Sequence, residues 1–444
     1  MYSFQKEYDL KAHSPLIHFQ WETNGATLRA TEVKPKLDRY IIGKKGKDNI
    51  PDRWKRDDVN GKISLDYKLR IIATESKPAV DVGRGTLYDI YYGNMGDGAQ
   101  IKKGVMNNAK LTVTCFHEDL LGYIDKIIGD FFIVTNFGTM QSKGFGSFTV
   151  DRKECTQEKI CEVLKNEYAK TGYCYFFIPN VDEELTFKQI KMVYSLIKSG
   201  HNLTTVTKKI RNETKVFTYP QTKVVNGKDY SELYYHRSLL YQYVRIMQVN
   251  GKSANMGNEK AWMKQNGIVP LLGKSKKQND TYSRYVRALL GIGENIRYKN
   301  KESLKAVTVK IEEKPQGQTD VEKKANKIER LNSPILFKVI DNVVYFVGCE
   351  LNEKIYGKKF SFSSSSMKNG LIRYVPKKNE LPCNFMDGFM DYCFQELNGY
   401  FDEIREYFTA LKNNLPQKYE NLKEYEISFK STANITIIKG EDKK

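Results

Sequence analysis

The chain has 444 residues, 40% hydrophobic and 12% aromatic, with 29 Tyr and 22 Phe. That composition excludes a disordered tail, and the length exceeds the roughly 250–300 residues at which one core stops growing, so two or three domains are expected. Lys and Arg number 72 against 53 Asp and Glu, a formal net charge of +19, which turns the chain toward polyanions and puts nucleic acid ahead of other partners.

Lysines can track phosphates while tyrosine and phenylalanine rings stack on unpaired bases. The plainer reading of the same charge is a basic, soluble surface. No apolar run approaches the ~18 residues of a membrane span, and residues 1–7 lack a signal peptide's apolar core. Cys115, Cys155, Cys161, Cys174, Cys349, Cys383 and Cys393 include no C-x-x-C pair. Free thiols, a cytoplasmic location and no membrane partner are therefore expected. Cys115 and His117 could donate to zinc, but no second pair sits at ligand spacing, so neither a metal nor a cofactor is expected.

In chain order, residues 5–19 read as a strand interrupted at Ser14 and Pro15. A short helix follows, with Thr31 as N-cap, Pro35 confined to the first turn, and Leu37, Tyr40 and Ile41 on one face. Lys34, Lys36 and Arg39 are left for another surface. Residues 43–62 carry Lys44, Lys45, Lys47, Arg53, Lys55 and Arg56 without a sustained period and read as an exposed basic loop. Leu65, Tyr67, Leu69 and Ile71 alternate as a strand. Gly83, Gly85, Gly93, Gly96 and Gly98 bracket a strand over 87–92, as in a long hairpin or arm. Leu111, Val113 and Cys115 mark another strand, and Leu120, Leu121, Ile124 and Ile127 or Ile128 the face of a helix over 117–128.

Next comes a glycine-punctuated loop over 136–148, containing Gly138, Gln141, Ser142, Lys143, Gly144 and Gly146, and then a strand through Val150. The order β-α-β-β-α-β implies an α+β fold, a ferredoxin-like (RRM-like) domain over 1–152. Residues 153–444 form a second α+β domain, read as a divergent ferredoxin-like unit in tandem. It has a helix over 156–169, an aromatic strand over 173–178, and a helix whose start carries the capping-box spacing Thr186 to Gln189. Further on lie a helix over 234–247, a basic insertion over 251–280, a strand over 307–311 and a polar linker over 314–324. A hairpin turns at Asp341 and Asn342, both tolerant of positive φ. A long helix over 387–411 carries Met390, Phe394, Leu397, Phe401, Ile404, Phe408 and Leu411 at steps of four and three, for the chain's own core or for a partner helix.

Glycines in the 136–148 loop permit positive φ and close backbone approach, so successive N–H groups could nest around a phosphate. Gln141, Ser142 and Lys143 would add donors, and Phe145 or Phe148 could stack on a base or anchor the next strand. A tight turn is the plain alternative. The loop is neither a Walker loop nor a dinucleotide fingerprint, because it precedes a strand and lacks the terminal G-K-[ST]. Replacing Gly144 and Gly146 by Val is expected to weaken RNA binding with the fold intact.

Three stretches resemble the RAMP superfamily of CRISPR-associated RNA-binding proteins: the loop over 136–148 its glycine-rich signature loop, residues 28–39 its first helix, and residues 331–337 a later Ser-Pro-hydrophobic strand. The resemblance implies paired ferredoxin-like domains that bind guide RNA beside other effector subunits in a type III CRISPR ribonucleoprotein. Lys34, Lys36, Arg39, Gln141, Ser142, Lys143, Gly144 and Gly146 would be the RNA-binding positions. Pro35 stands where the family usually has glycine. The two-domain length looks more like a subunit capping one end of the guide than the shorter repeated backbone subunit.

RAMP relatives include non-catalytic binders, guide-processing endonucleases that employ His, and backbone subunits that cut the target with a loop Asp. Here the loop before the first helix holds Glu22 and no Asp. His13 or His18 could act as general base toward a ribose 2′-hydroxyl, which keeps a metal-independent, guide-maturing endoribonuclease as the second reading. A structural assembly protein without RNA contact is the third.

Overall fold

The computed structural model describes residues 4–18, 20–59, 62–83, 86–88, 101–151, 155–168, 174–177, 183–200, 206–210, 213–217, 224–225, 227–229, 236–250, 252–253, 284–293, 295–299, 306–314, 331, 333–365, 371–414 and 435–439. Of the expected strand over 87–92 only Leu87 and Tyr88 are described, in a turn, and most of the basic insertion and polar linker lies outside the described residues.

The first half runs β1 (Gln5–Ala12), α1 (Ala30–Lys45), β2 (Lys55–Val59), β3 (Lys62–Leu65), β4 (Lys68–Ala73), β5 (Val80–Val82), β6 (Lys102–Gly104), β7 (Ala109–Thr114), α2 (Glu118–Val134) and β8 (Phe148–Val150). The second runs α3 (Gln157–Glu167), β9 (Cys174–Phe177) and α4 (Glu183–Lys198). Short hairpins follow: β10 (Val206–Ile210) with β11 (Glu213–Phe217), β12 (Val224–Val225) with β13 (Lys228–Asp229), and, after α5 (Leu239–Ile246), β14 (Gln248–Val249) with β15 (Lys252–Ser253). The chain continues through β16 (Asn295–Lys299), β17 (Ala306–Lys314), β18 (Ile335–Ile340), β19 (Val343–Gly348), β20 (Lys359–Ser363), β21 (Leu371–Tyr374), α6 (Phe385–Asn414) and β22 (Ile437–Lys439).

The first four-stranded sheet has the order β4-β7-β1-β8, every pair antiparallel. In β1 and β7 the period-2 alternation works as read: Tyr8 faces Leu111 and Leu10 faces Ala109, all buried under α1 and α2. Val33, Leu37 and Ile41 of α1 and Leu121, Ile124, Ile128 and Phe132 of α2 complete that core. Each such side chain removed from water stabilises by about 1.5–3 kcal/mol.

The sheet β18-β19-β9-β22 repeats the plan. Taken in chain order, β9, β18, β19 and β22 lie second-third-first-fourth, as do β1, β4, β7 and β8, with α4 after the first strand and α6 after the third. A further antiparallel sheet, β16-β17-β20-β21, comes from chain on either side of the β18–β19 hairpin. At the β18–β19 turn Asp341 and Asn342 have φ of 48° and 64°, as their residue types led one to expect. The stripe on α6 serves the chain's own core: Met390, Leu397, Phe401 and Ile404 are all fully buried.

Several boundaries differ from the sequence reading. Helix α1 starts at Ala30 with Arg29 in the N-cap position, so Thr31 is inside it and Pro35 lies in its second turn. The described residues of the stretch over 43–62 do not form the expected loop. The helix continues to Lys45, two 3-10 turns follow, and β2 pairs with β3. Trp54 anchors this stretch: it is buried, donates from Nε1 to Asp119 Oδ2 at 2.9 Å, and lies 5.0 Å beneath the Lys45 ammonium. A single aromatic at its centre breaks no period, which is why the pattern hid it. Helix α4 begins three residues before Thr186, so the capping-box spacing falls inside the helix.

The two halves are joined tightly. Ile17 and Phe145 of the first belong to the same core as Phe187, Ile190, Phe337 and Val339 of the second. Helix α2 has no basic residue in its last turn. Its C-terminus is capped from the other half, by Lys338 of β18, whose Nζ donates to Phe132 O at 2.7 Å, Thr135 O at 2.9 Å and Phe148 O at 3.2 Å. Lys338 is 1% exposed. A fully buried ammonium persists there because three carbonyls, two of them at a helix C-terminus, replace its water.

Candidate nucleic-acid interface

The loop over 136–148 is closed at its base. Asn136 and Ser147 form a bridge, Phe137 N donates to Gly146 O at 2.9 Å, and Gly146 N donates to Pro15 O at 2.9 Å. Gly138, Gly144 and Gly146 all have positive φ, as does Met140 at 62°. Their second requirement is space. A Cβ on Gly146 would lie 1.9 Å from Phe137 O, and one on Gly138 2.7 Å from Leu16 Cδ1. On Gly144 it would meet Val339 Cγ2 at 3.1 Å and Ile190 Cδ1 at 3.2 Å. The close approach these glycines permit is therefore to the chain itself. The idea that Val at 144 and 146 leaves the fold intact is wrong for the same reason. Phe145 and Phe148 are buried, Phe145 with its ring centroid 4.6 Å from that of Phe187; both anchor the loop.

The loop also completes the second sheet. Phe337 N donates to Ser142 O at 3.0 Å, and Asn136 Nδ2 donates to Phe337 O at 2.8 Å and Gln141 O at 2.7 Å. Strand β18 is the edge of its sheet, and the loop covers part of that edge, satisfying backbone groups that would otherwise invite pairing with another chain.

From the other side, Lys36 of α1 pins the loop. Its Nζ donates to Asn136 O at 2.8 Å, Gln141 Oε1 at 2.9 Å and Glu32 Oε1 at 3.1 Å, 4.7 Å above the Phe137 ring. Glu32 accepts in turn from Gly138 N at 2.7 Å. Burial lowers the Lys36 pKa, and Glu32 opposes that shift. Lys36 and Gln141 thus meet. Lys34 does not join them: it donates to Asp38 Oδ2 and Leu65 O, each at 2.9 Å, over the Tyr67 ring. Arg39 lies along the exposed surface of α1, its Nε on Pro35 O at 3.1 Å.

What the loop presents outward is its tip, Thr139 to Lys143, with Thr139 exposed and the next four residues partly so. Lys143 reaches over Tyr194 of α4, 5.0 Å from the ring centroid, and burial pulls its pKa down to about 8. Beside the tip, Thr139 N and Oγ1 both donate to Ile17 O. His18 comes next. Its Nδ1 accepts from Gln20 N at 3.1 Å, and its Nε2 is buried without a partner among the described residues. Burial and the Arg29 charge lower its pKa, against Glu32. His13 is elsewhere, its side chain 2% exposed at the joint between the halves, with Nε2 2.7 Å from Thr149 Oγ1 and Nδ1 accepting from Asp341 N at 3.1 Å.

Sequence alone assigns no site role to Glu32, Arg29, Asn136 or Tyr194. Only Asn136 carried a signal, as a side-chain donor at the base of a glycine-rich loop. Among the described residues no group of three or more His, Cys, Asp or Glu could hold a metal ion, and no helix is long and apolar enough to cross a membrane.

Residues 3–201 match the family model of the Cmr1 N-terminal domain, and residues 235–415 that of the Cmr1 C-terminal domain. The crystal structure of Cmr1 from Pyrococcus furiosus, in its apo form, is similar at 11% identity and a TM-score of 0.29, over 49% of this chain and 89% of that one. A chain of the cryo-EM structure of the Type III-B Cmr-beta bound to cognate target RNA is similar at 11% identity and a TM-score of 0.24. That likeness covers 33% of this chain and 58% of the other, little more than half its length. Among curated proteins none matches the sequence.

Proposed function

This chain belongs to the Cmr1 family, RAMP subunits of type III CRISPR effectors, and on that premise we propose that it binds guide RNA as a non-catalytic subunit of the ribonucleoprotein in antiviral defence. It works in the cytoplasm, beside the other effector subunits. Residues 1–152 and 153–444 are two ferredoxin-like units in tandem, a reading supported by the strand order common to β4-β7-β1-β8 and β18-β19-β9-β22.

The observation that carries the RNA reading is the loop tip, held between α1 and β18 by Lys36 and Asn136 and presented with Lys143, on a chain of net charge +19. A rigid, cation-bearing loop pays little ordering entropy when a phosphate backbone arrives. Arg39, exposed on α1, gives the cleanest test. Fluorescence anisotropy with a labelled single-stranded guide RNA should show Arg39→Glu weakening binding several-fold and reducing the salt slope by about 1. Unchanged affinity would remove Arg39 from the interface, and no binding by the parent chain at low salt would end the RNA reading.

His18 gives cleavage its one structural support, a buried ring nitrogen beside Arg29. His13 gives none, since both its nitrogens are engaged within the fold. Repeat RNA, the precursor such an enzyme would cut, should stay intact when incubated with the protein in EDTA. Its cleavage, lost in His18→Ala, would establish the nuclease reading instead.

A further inference from the structure

The four-stranded sheet β16-β17-β20-β21 stands apart from the two that share a strand order, and one of its faces is open to solvent. Its register sorts the side chains between two faces. Val309, Ile311, Phe360 and Phe362 share the inner face and are buried, with the Tyr285 ring packed on both phenylalanines at 5.4 and 5.0 Å between centroids. The alternate residues form rows across the outer face: Lys314, Lys359 and Tyr374; then Glu312, Ser361 and Ile372; then Lys310 and Ser363. Ile372 is 46% exposed and Tyr374 43%. Tyr374 is fixed through its backbone, its carbonyl accepting from Tyr285 N at 2.9 Å.

Three lysines stand on those rows against a single carboxylate. Glu312 pairs with Lys310 at 2.8 Å and Lys314 at 3.5 Å. Such exposed pairs are worth little and exchange readily for another anion. The Lys359 ammonium has no carboxylate partner among the described residues and lies 5.9 Å from the centroid of the Tyr374 ring. The excess charge on the face is positive, the complement of a phosphate backbone. Its composition also argues against a protein partner, because contact surfaces between proteins are poor in Lys, Glu and Ser, and these residues make up most of the rows. An exposed ring among lysines on a sheet is how single strands are held, bases on the ring and phosphates on the cations. Same-face residues of one strand lie roughly 6.6 Å apart, so Ile372 and Tyr374 leave room for a base on each.

We propose that the outer face of β16-β17-β20-β21 is a second contact surface for single-stranded RNA: Tyr374 stacks on one base, Ile372 packs against another, and Lys310, Lys314 and Lys359 take the phosphates. Resting on the guide-RNA reading for its ligand, this surface belongs to a different sheet from the one that the 136–148 loop edges. Every base has a face to stack, so the surface holds the strand without selecting its sequence.

The test uses the full chain, as parent, Tyr374→Ala, Tyr374→Phe and Lys359→Gln, with anisotropy of a labelled, uridine-rich single-stranded RNA as the readout. Tyr374→Ala should weaken binding roughly tenfold, the scale of one lost stacking contact, and Tyr374→Phe should keep the parental affinity. Lys359→Gln should weaken binding several-fold and reduce the salt slope by about 1. Parental affinity in both Tyr374→Ala and Lys359→Gln overturns the surface and leaves the guide-RNA reading standing. If those two variants also lose the other effector subunits on co-purification, the face serves a protein instead. Equal losses in Tyr374→Phe and Tyr374→Ala overturn stacking as its mode of contact. Ultraviolet cross-linking of the parent chain to the same RNA needs no variant, so it decides the question should one fail to fold: an adduct on Tyr374 is expected, and its absence at saturating RNA overturns the stacked base. A parent chain that binds no RNA at low salt fails the guide-RNA reading itself, and the surface falls with it.

Discussion

At the scale of single residues, the joint between the halves makes stability depend on acidity. Burial holds the His13 pKa below its ordinary value, against the opposing pull of Asp341. In the unfolded chain that ring takes up a proton near pH 6.5, and in the folded chain only at lower pH. Between the two values the unfolded state binds more protons, so stability falls as pH falls through that window. Asp341 acts with the same sign. His13 first and Lys11 second, the latter at 2.6 Å, hold its carboxylate below the ordinary range, a contribution present above about pH 3.9 and lost as pH drops through the folded value. The two shifts compete for one proton, since His13 depresses Asp341 most when charged. With the ring 2% exposed, the neutral ring is the better description at pH 7, and Lys11 is then the cation beside Asp341. Thermal unfolding of the full chain should show a midpoint that falls from pH 7 to 5.5, with a shallower slope in His13→Gln. Identical slopes would show that the ring does not govern the joint.

At the scale of elements, the loop over 136–148 is held more firmly than a surface turn. Gly146→Ala would force a positive φ of 66° on a residue with a Cβ and drive that Cβ into Phe137 O. The expected cost is about 3 kcal/mol or more, read from chemical denaturation, and a loss below 1 kcal/mol would mean the turn can open cheaply. Much of this element was legible in the sequence: its glycines, its place after α2 and the strand that follows. Its burial was not, because the residues that cover it, Ile190, Phe337 and Val339, lie far along the chain, and nothing in a local pattern reveals a distant wall. The same limit explains the roles of the lysines. Lys34, Lys36 and Arg39 look alike on a helix drawn from sequence, yet Lys36 is a strut for the loop, Lys34 a strut for β3, and Arg39 alone faces water. Where the signal is local it held: the positive φ at Asp341 and Asn342, and the burial of Met390, Leu397, Phe401 and Ile404 along α6.

At the scale of the whole molecule, the halves are not independent bodies. Lys338 caps α2, the loop edges β18, and one core runs through Phe145, Phe187 and Phe337. Replacing Lys338 by Met would leave three buried carbonyls without their donor and is expected to destabilise the full chain by about 2–4 kcal/mol, measured by denaturant unfolding with both halves lost in one transition. Two separate transitions would show that the halves fold apart. The cap also sets a schedule. When α2 has left the ribosome, about 200 residues remain to be added before the ammonium that closes its C-terminus exists. At ~5–20 residues per second that is roughly 10–40 s. Through that interval the nascent first unit carries an open helix end and an uncovered Phe145, the kind of surface that chaperones hold, and its maturation waits on synthesis of the second.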